Sequence, residues 1–82
     1  MEYCHVAKKP YISEYVLSKI ALRIKELRIN AGYTSYEVFA HENELDRKQY
    51  WRAENGVNLT LKSIIRIVNI HKVSLEDFFR GI

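Results

Sequence analysis

The side chains best equipped for chemistry lie in one stretch, Asp46-Arg47-Lys48-Gln49-Tyr50-Trp51-Arg52-Ala53-Glu54-Asn55-Gly56. Asp46 is a good helix N-cap and Asn55-Gly56 a good stop. After Asp46 the first two turns carry three cations and no acid. At 100° per residue Arg47, Lys48 and Arg52 share a broad face, because 48 and 52 are one turn apart. Leu45, Tyr50 and Ala53 are then free to point toward a core. Guanidinium and ammonium groups donate to anions and to the acceptor edges of bases. A short helix with an apolar inner side and a cationic outer side therefore suits the major groove of double-stranded DNA. A solvated cationic face is the plain alternative, and these residues taken alone favour it.

Other chemistries find less support. His5, His41 and His71 are far apart, and Cys4-His5 are adjacent rather than at zinc-ligand spacing, so no metal is expected. Glu42, Glu44 and Asp46 alternate, but the Gly and the distal Glu of a calcium loop are missing. There is no Gly-rich phosphate loop and no Ser or Cys nucleophile with a recognisable partner motif, so neither an enzyme nor a cofactor is expected. Trp51 and the six tyrosines invite base stacking, but they are mixed with core positions, and packing is the expected role of most of them.

The elements that must position this stretch are helical. In 82 residues there is room for one domain, and a 48% hydrophobic, 28% charged composition argues against disorder. The net charge of +3 is weak evidence alone. Its sorting matters more: acids gather at Glu37, Glu42, Glu44 and Asp46, cations at 47–52 and 19–28. The single cysteine, the lack of a roughly 20-residue apolar run and the lack of a signal-peptide pattern make a cytoplasmic, non-membrane protein the expectation. Residues 1–11 show no period and read as a flexible arm, with the domain proper over 12–82.

Ser13 is placed to cap a first helix whose stripe is Val16, Leu17, Ile20, Ala21, Ile24 and Leu27, ended by Gly32 at a left-handed C′ position. A second, short helix runs from Ser35 to Ala40, capped by Thr34 or Ser35, with Phe39 and Ala40 inward. The chain must then turn sharply through residues 41–45, where Asn43 best tolerates a left-handed conformation. The third helix is the cationic one. Thr60 caps a fourth, Leu61 to Ile70, with apolar residues at too many positions for one narrow stripe, which predicts a helix touched on several sides. Ser74 opens a fifth, with Phe78-Phe79 to close the core and Gly81 to end it. The fold expected is all-α, a compact five-helix bundle.

Over roughly residues 17–79 the chain resembles the Cro/phage-repressor-like (XRE-like) helix-turn-helix domains, the lambda-repressor-like DNA-binding fold. The likeness is carried by Ile24-Lys25-Glu26-Leu27-Arg28, Gly32-Tyr33-Thr34, Glu37, Phe39-Ala40, Leu45-Asp46, Tyr50, Glu54-Asn55-Gly56 and Val73 to Phe79. It implies that the helix after Asp46 is a recognition helix in the major groove, with Arg47, Lys48, Gln49 and Arg52 toward base edges. It also implies phosphate contacts from Ser35 and Tyr36 and from Thr60 and Lys62, and an Arg28–Glu54 ion pair tying the first helix to the third. The chain departs from the family at two places. Glu44 stands where the family usually has Gly, so either Asn43 takes the left-handed conformation or the joint differs in shape. Tyr36 replaces a common Gln, its hydroxyl donating from a longer reach.

The resemblance implies a sequence-specific transcriptional regulator, a repressor by occlusion, binding as a homodimer on a palindromic operator with half-sites about 34 Å apart. Two alternatives stand beside it. One is an antitoxin that binds both DNA and a toxin partner. The other is a protein-interaction domain of the same fold without DNA binding, which the acids around Glu44 favour.

Overall fold

The structure, a computed structural model, describes residues 13–82. The arm expected over residues 1–11 and the cap expected of the Ser13 side chain lie outside the described residues. Five helices follow in order: α1 (Ser13–Asn30), α2 (Tyr36–Glu42), α3 (Arg47–Glu54), α4 (Leu61–His71) and α5 (Leu75–Phe79). Among the described residues there is no strand. The chain is all-α.

The starts of α2, α3, α4 and α5 each have a local cause. Ser35 Oγ accepts from Val38 N, Asp46 from Lys48 N and Gln49 N, Thr60 from Ser63 N and Ser74 from Asp77 N. Each cap satisfies one or two of the amide donors that a helix leaves unpaired at its start, typically worth about 1 kcal/mol. The ends of α1, α3 and α4 share a cause as well. At α1 Tyr33 N donates to Arg28 O at 3.1 Å and Gly32 N to Ile29 O at 2.9 Å, around Gly32 at φ +96°. The paired bonds recur around Gly56 after α3 and around Lys72 after α4. A left-handed residue lets the chain fold back on the last carbonyls of the helix, and only glycine adopts that conformation without strain.

The same motif joins α2 to α3 and corrects the expected turn. Asn43 is not left-handed; Glu44 is, at φ 57°. His41 and Glu42 belong to α2, so the turn occupies 43–46 alone. Leu45 N donates to Ala40 O at 2.8 Å and Glu44 N to His41 O at 3.2 Å, a bond pattern that puts the left-handed residue at 44. Asn43 instead turns its amide back to Phe39 O at 2.9 Å, and Arg66 reaches across from α4 to Glu44 O at 3.1 Å. These bonds hold a non-glycine residue where a Cβ is unwelcome. Glu44→Gly should therefore raise stability by about 0.5–1 kcal/mol, after allowing for the greater freedom of glycine in the unfolded chain. Thermal melts should show a rise of about 2–8 °C; an unchanged or lower midpoint would mean that position 44 carries no strain.

All five helices send side chains into one core. Its centre is Phe39, only 1% exposed. Its ring meets Tyr33 edge-on at 5.0 Å, Tyr50 at 5.0 Å and His71, stacked nearly parallel, at 5.2 Å. Ile20 and Ile24 from α1, Ile64, Ile67 and Val68 from α4, and Phe78 from α5 complete it. Burying side chains of this size contributes about 1.5–3 kcal/mol each. The fourth helix differs from expectation. It buries one stripe only, and Leu61 and Ile65, one turn apart, are 59% and 39% exposed. Helices as short as α2, α3 and α5 do not wrap a fourth helix on every side.

His71 adds a pH dependence to this core. Its Nε2 is buried without a hydrogen-bond partner among the described residues, and burial lowers its pKa from the usual 6.5. Below about pH 6.5 the unfolded chain takes up the proton more readily than the folded one, so stability is lost as pH falls toward the folded-state value. His71→Phe should flatten the urea midpoint between about pH 5 and 7. An equal slope in variant and wild type would assign the dependence to other groups.

Candidate nucleic-acid interface

The site is built on α3, and α3 is oriented by what it buries. Tyr50 and Ala53 are 2% and 3% exposed, packed into the shared core. With those positions inward, Arg47, Lys48, Gln49, Trp51 and Arg52 are all exposed. The helix packs against both α1 and α2. Its tie to α1 is chemical as well as steric. Arg28 Nε donates to Glu54 Oε2 at 2.6 Å and Nη2 to Oε1 at 3.1 Å, while Nη1 donates to Tyr33 O at 2.9 Å. Both side chains are nearly buried, 6% and 7% exposed. The hydrogen bond to Glu54 holds the Arg28 guanidinium yet more firmly protonated. Tyr50 lies against this pair; burial first, and the Glu54 carboxylate second, push its phenol well above the usual value. Among the described residues its hydroxyl has no partner at full hydrogen-bond geometry.

Two clefts flank α3. One, of about 390 Å³, lies toward the start of α2 and is lined by Tyr36, Glu37, Arg47, Lys48, Trp51 and Arg52. The other, about 420 Å³, opens toward the start of α4; its polar lining includes Asp46, Gln49, Arg52, Thr60, Lys62, Ser63 and Arg66. Arg52 lines both. The structure thus brings Arg47, Lys48 and Arg52 together on one side, with Tyr36 beside them, and sets Gln49 and Arg52 opposite Thr60 and Lys62 on the other. Ser35 sits at the α2 cap, its Oγ accepting from Val38 N at 3.3 Å. That bond uses a lone pair and leaves the hydroxyl proton for an anion. The Thr60 hydroxyl accepts from Ser63 N at 3.1 Å and shares a second bond with Ser63 Oγ at 2.9 Å.

Four features escaped the sequence reading. Glu37 stands 3.4 Å from Arg47, in an exposed pair that holds the arginine against α2. Pairs this exposed contribute little to stability, so Arg47 is easily released to another acceptor. Arg66 joins the second cleft; its one sequence signal is its place one turn after Lys62 on α4. Trp51, expected to pack, is 45% exposed on the outer side of α3 with Arg47 and Lys48 one turn before it. Arg23 gathers carbonyls at the end of α5, Phe78 O at 2.5 Å and Arg80 O at 3.0 Å. It docks the last helix on the first.

The arrangement is a convex helix face with five donor side chains around it and two acids, Glu37 and Asp46, beside them. The Asp46 carboxylate is engaged in capping, 2.9 Å from Lys48 N and 3.2 Å from Gln49 N. Among the described residues no three His, Cys, Asp or Glu side chains gather as a metal site would require. No helix among them is long and apolar enough to cross a membrane. Compared with family models, with curated proteins and with solved structures, the chain matches none.

Proposed function

We infer that the chain is a sequence-specific double-stranded DNA-binding regulator of the XRE-like helix-turn-helix kind, acting in the cytoplasm as a repressor. The observation that carries this reading is the division of α3, with Tyr50 and Ala53 locked into the core and its donors outward. A left-handed Glu44 adds support, since it takes the conformation that a glycine would take at that turn. In this reading Arg47, Lys48, Gln49 and Arg52 face base edges, the arginine forks suiting guanine O6 and N7. The Trp51 indole offers an apolar surface for a thymine methyl group. Ser35, Tyr36, Thr60 and Lys62 hold the phosphates on either side, with Arg66 beside Lys62.

Selection from a randomised duplex pool, followed by sequencing, tests the reading. The expected result is an enriched motif, and a palindromic one if two copies bind together. Weak, salt-sensitive binding with no motif would contradict it. One observation favours a second reading. An exposed tryptophan among arginines, with Val38 48% exposed on the neighbouring helix, has the composition of a protein-binding hot spot. A toxin or another protein would then cover the α2–α3 face. Retention of such a partner by an Arg47→Ala/Lys48→Ala variant that has lost DNA would favour that second reading.

A further inference from the structure

We propose that the outer face of α1 is a self-association surface on which two copies of this chain pack antiparallel about a two-fold axis at Leu22. Tyr15, Leu22 and Ile29 are 61%, 56% and 48% exposed. They recur every seven residues, so on a helix each direction differs from the next by about 20° and they form one stripe along α1. The stripe is opposite the face that buries Ile20 and Ile24. Large apolar side chains scattered singly are ordinary, but three in line along about 22 Å of one helix are not.

Charge identifies the occupant. Lys19 and Glu26 lie on the same flank of the stripe, three residues before and four after Leu22. A two-fold axis perpendicular to α1 at Leu22 brings Lys19 of one copy opposite Glu26 of the other, offset by about one residue rise of 1.5 Å. The operation is self-complementary, so the pair forms twice. It also sets the two helix dipoles antiparallel. Among the described residues neither side chain is firmly engaged within its own chain. Lys19 Nζ lies 3.4 Å from Gly81 O and 5.4 Å from the Tyr15 ring centre, and Glu26 is 4.0 Å from Arg23 Nε. A single helix-on-helix contact is at the small end of specific interfaces, so the dimer forms weakly, at micromolar concentrations or above.

Sedimentation equilibrium of the full chain, without DNA, over about two decades of concentration tests the assignment. Wild type should approach twice the monomer mass, and Leu22→Glu should remain monomeric with an unchanged helical circular dichroism spectrum. Lys19→Glu alone should weaken association about tenfold, and Lys19→Glu/Glu26→Lys should restore it. A wild-type monomer throughout would overturn the proposal, whether the stripe is bare or covered by another segment of the chain. So would a dimer indifferent to Leu22→Glu. Rescue of Glu26→Lys by Lys25→Glu instead would set the helices parallel and overturn the antiparallel arrangement. Because no DNA is present, any of these failures leaves the DNA-binding reading to its own test.

Discussion

Replacing Arg28 with methionine is expected to destabilise the fold by about 3–5 kcal/mol. The reason is the partner left behind. Glu54 is 7% exposed, so without the guanidinium its carboxylate is a buried, uncompensated charge. Tyr33 O loses its 2.9 Å donor at the same time. A domain of 82 residues has about 4–12 kcal/mol of stability in all, so the single substitution should remove a large share of it. The double variant Arg28→Met/Glu54→Leu should regain most of the loss, because a buried ion pair gains little over well-packed apolar side chains of similar volume. Urea titrations of the two single variants and the double variant measure the coupling. A loss below about 1 kcal/mol for Arg28→Met would mean that the pair is hydrated and that α3 is held by packing alone.

The second large effect belongs to the outer face of α3. On a duplex recovered by selection, the Arg47→Ala/Lys48→Ala variant should lose about 2–6 kcal/mol, at about 1–3 kcal/mol for each base-reading side chain. Arg47→Ala alone should relax the sequence preference at one base pair. Lys62→Ala should behave otherwise, weakening specific and scrambled duplexes alike and reducing the slope of log K against log salt by about 1. The contrast follows from position. Arg47 lies in the cleft beside Trp51, whereas Lys62 opens α4 at the rim of the other cleft. Since both side chains are exposed, circular dichroism should show the variants folded, and the losses can then be assigned to contact.

The helices were legible in the sequence where local chemistry sets them. Ser35, Asp46, Thr60 and Ser74 each cap the helix that follows, and Gly32 and Gly56 each end one. Such signals act within four or five residues, where sequence order is also spatial order. Inward positions on the first three helices were legible for a similar reason, since helical spacing fixes which residues share a face.

What required the structure depends on distant partners or on competition between neighbours. Asn43 has the better intrinsic left-handed preference, but the bonds from Leu45 to Ala40 and from Arg66 to Glu44 favour position 44. Leu61 and Ile65 look like core residues until the neighbouring helices prove too short to reach them. Trp51 likewise: its residue type suggests burial, while its position, one turn after Arg47, turns it outward with the cations. The Glu37–Arg47 contact spans the α2–α3 turn, and the Arg23 contacts with α5 join residues more than fifty positions apart. No periodicity carries such information.

Sequence choice by the donors of α3 is read from one ratio. Affinity for the selected duplex, divided by affinity for a scrambled duplex of equal length, is measured at two salt concentrations for wild type and for Arg47→Ala/Lys48→Ala. For wild type the ratio should lie in the range of about 10³–10⁷, with both affinities falling as salt rises. In the variant it should collapse toward unity while a salt-dependent residual affinity persists. A ratio near unity for wild type, or one that survives the double substitution, would contradict base reading by this helix and direct attention to a protein partner on the α2–α3 face.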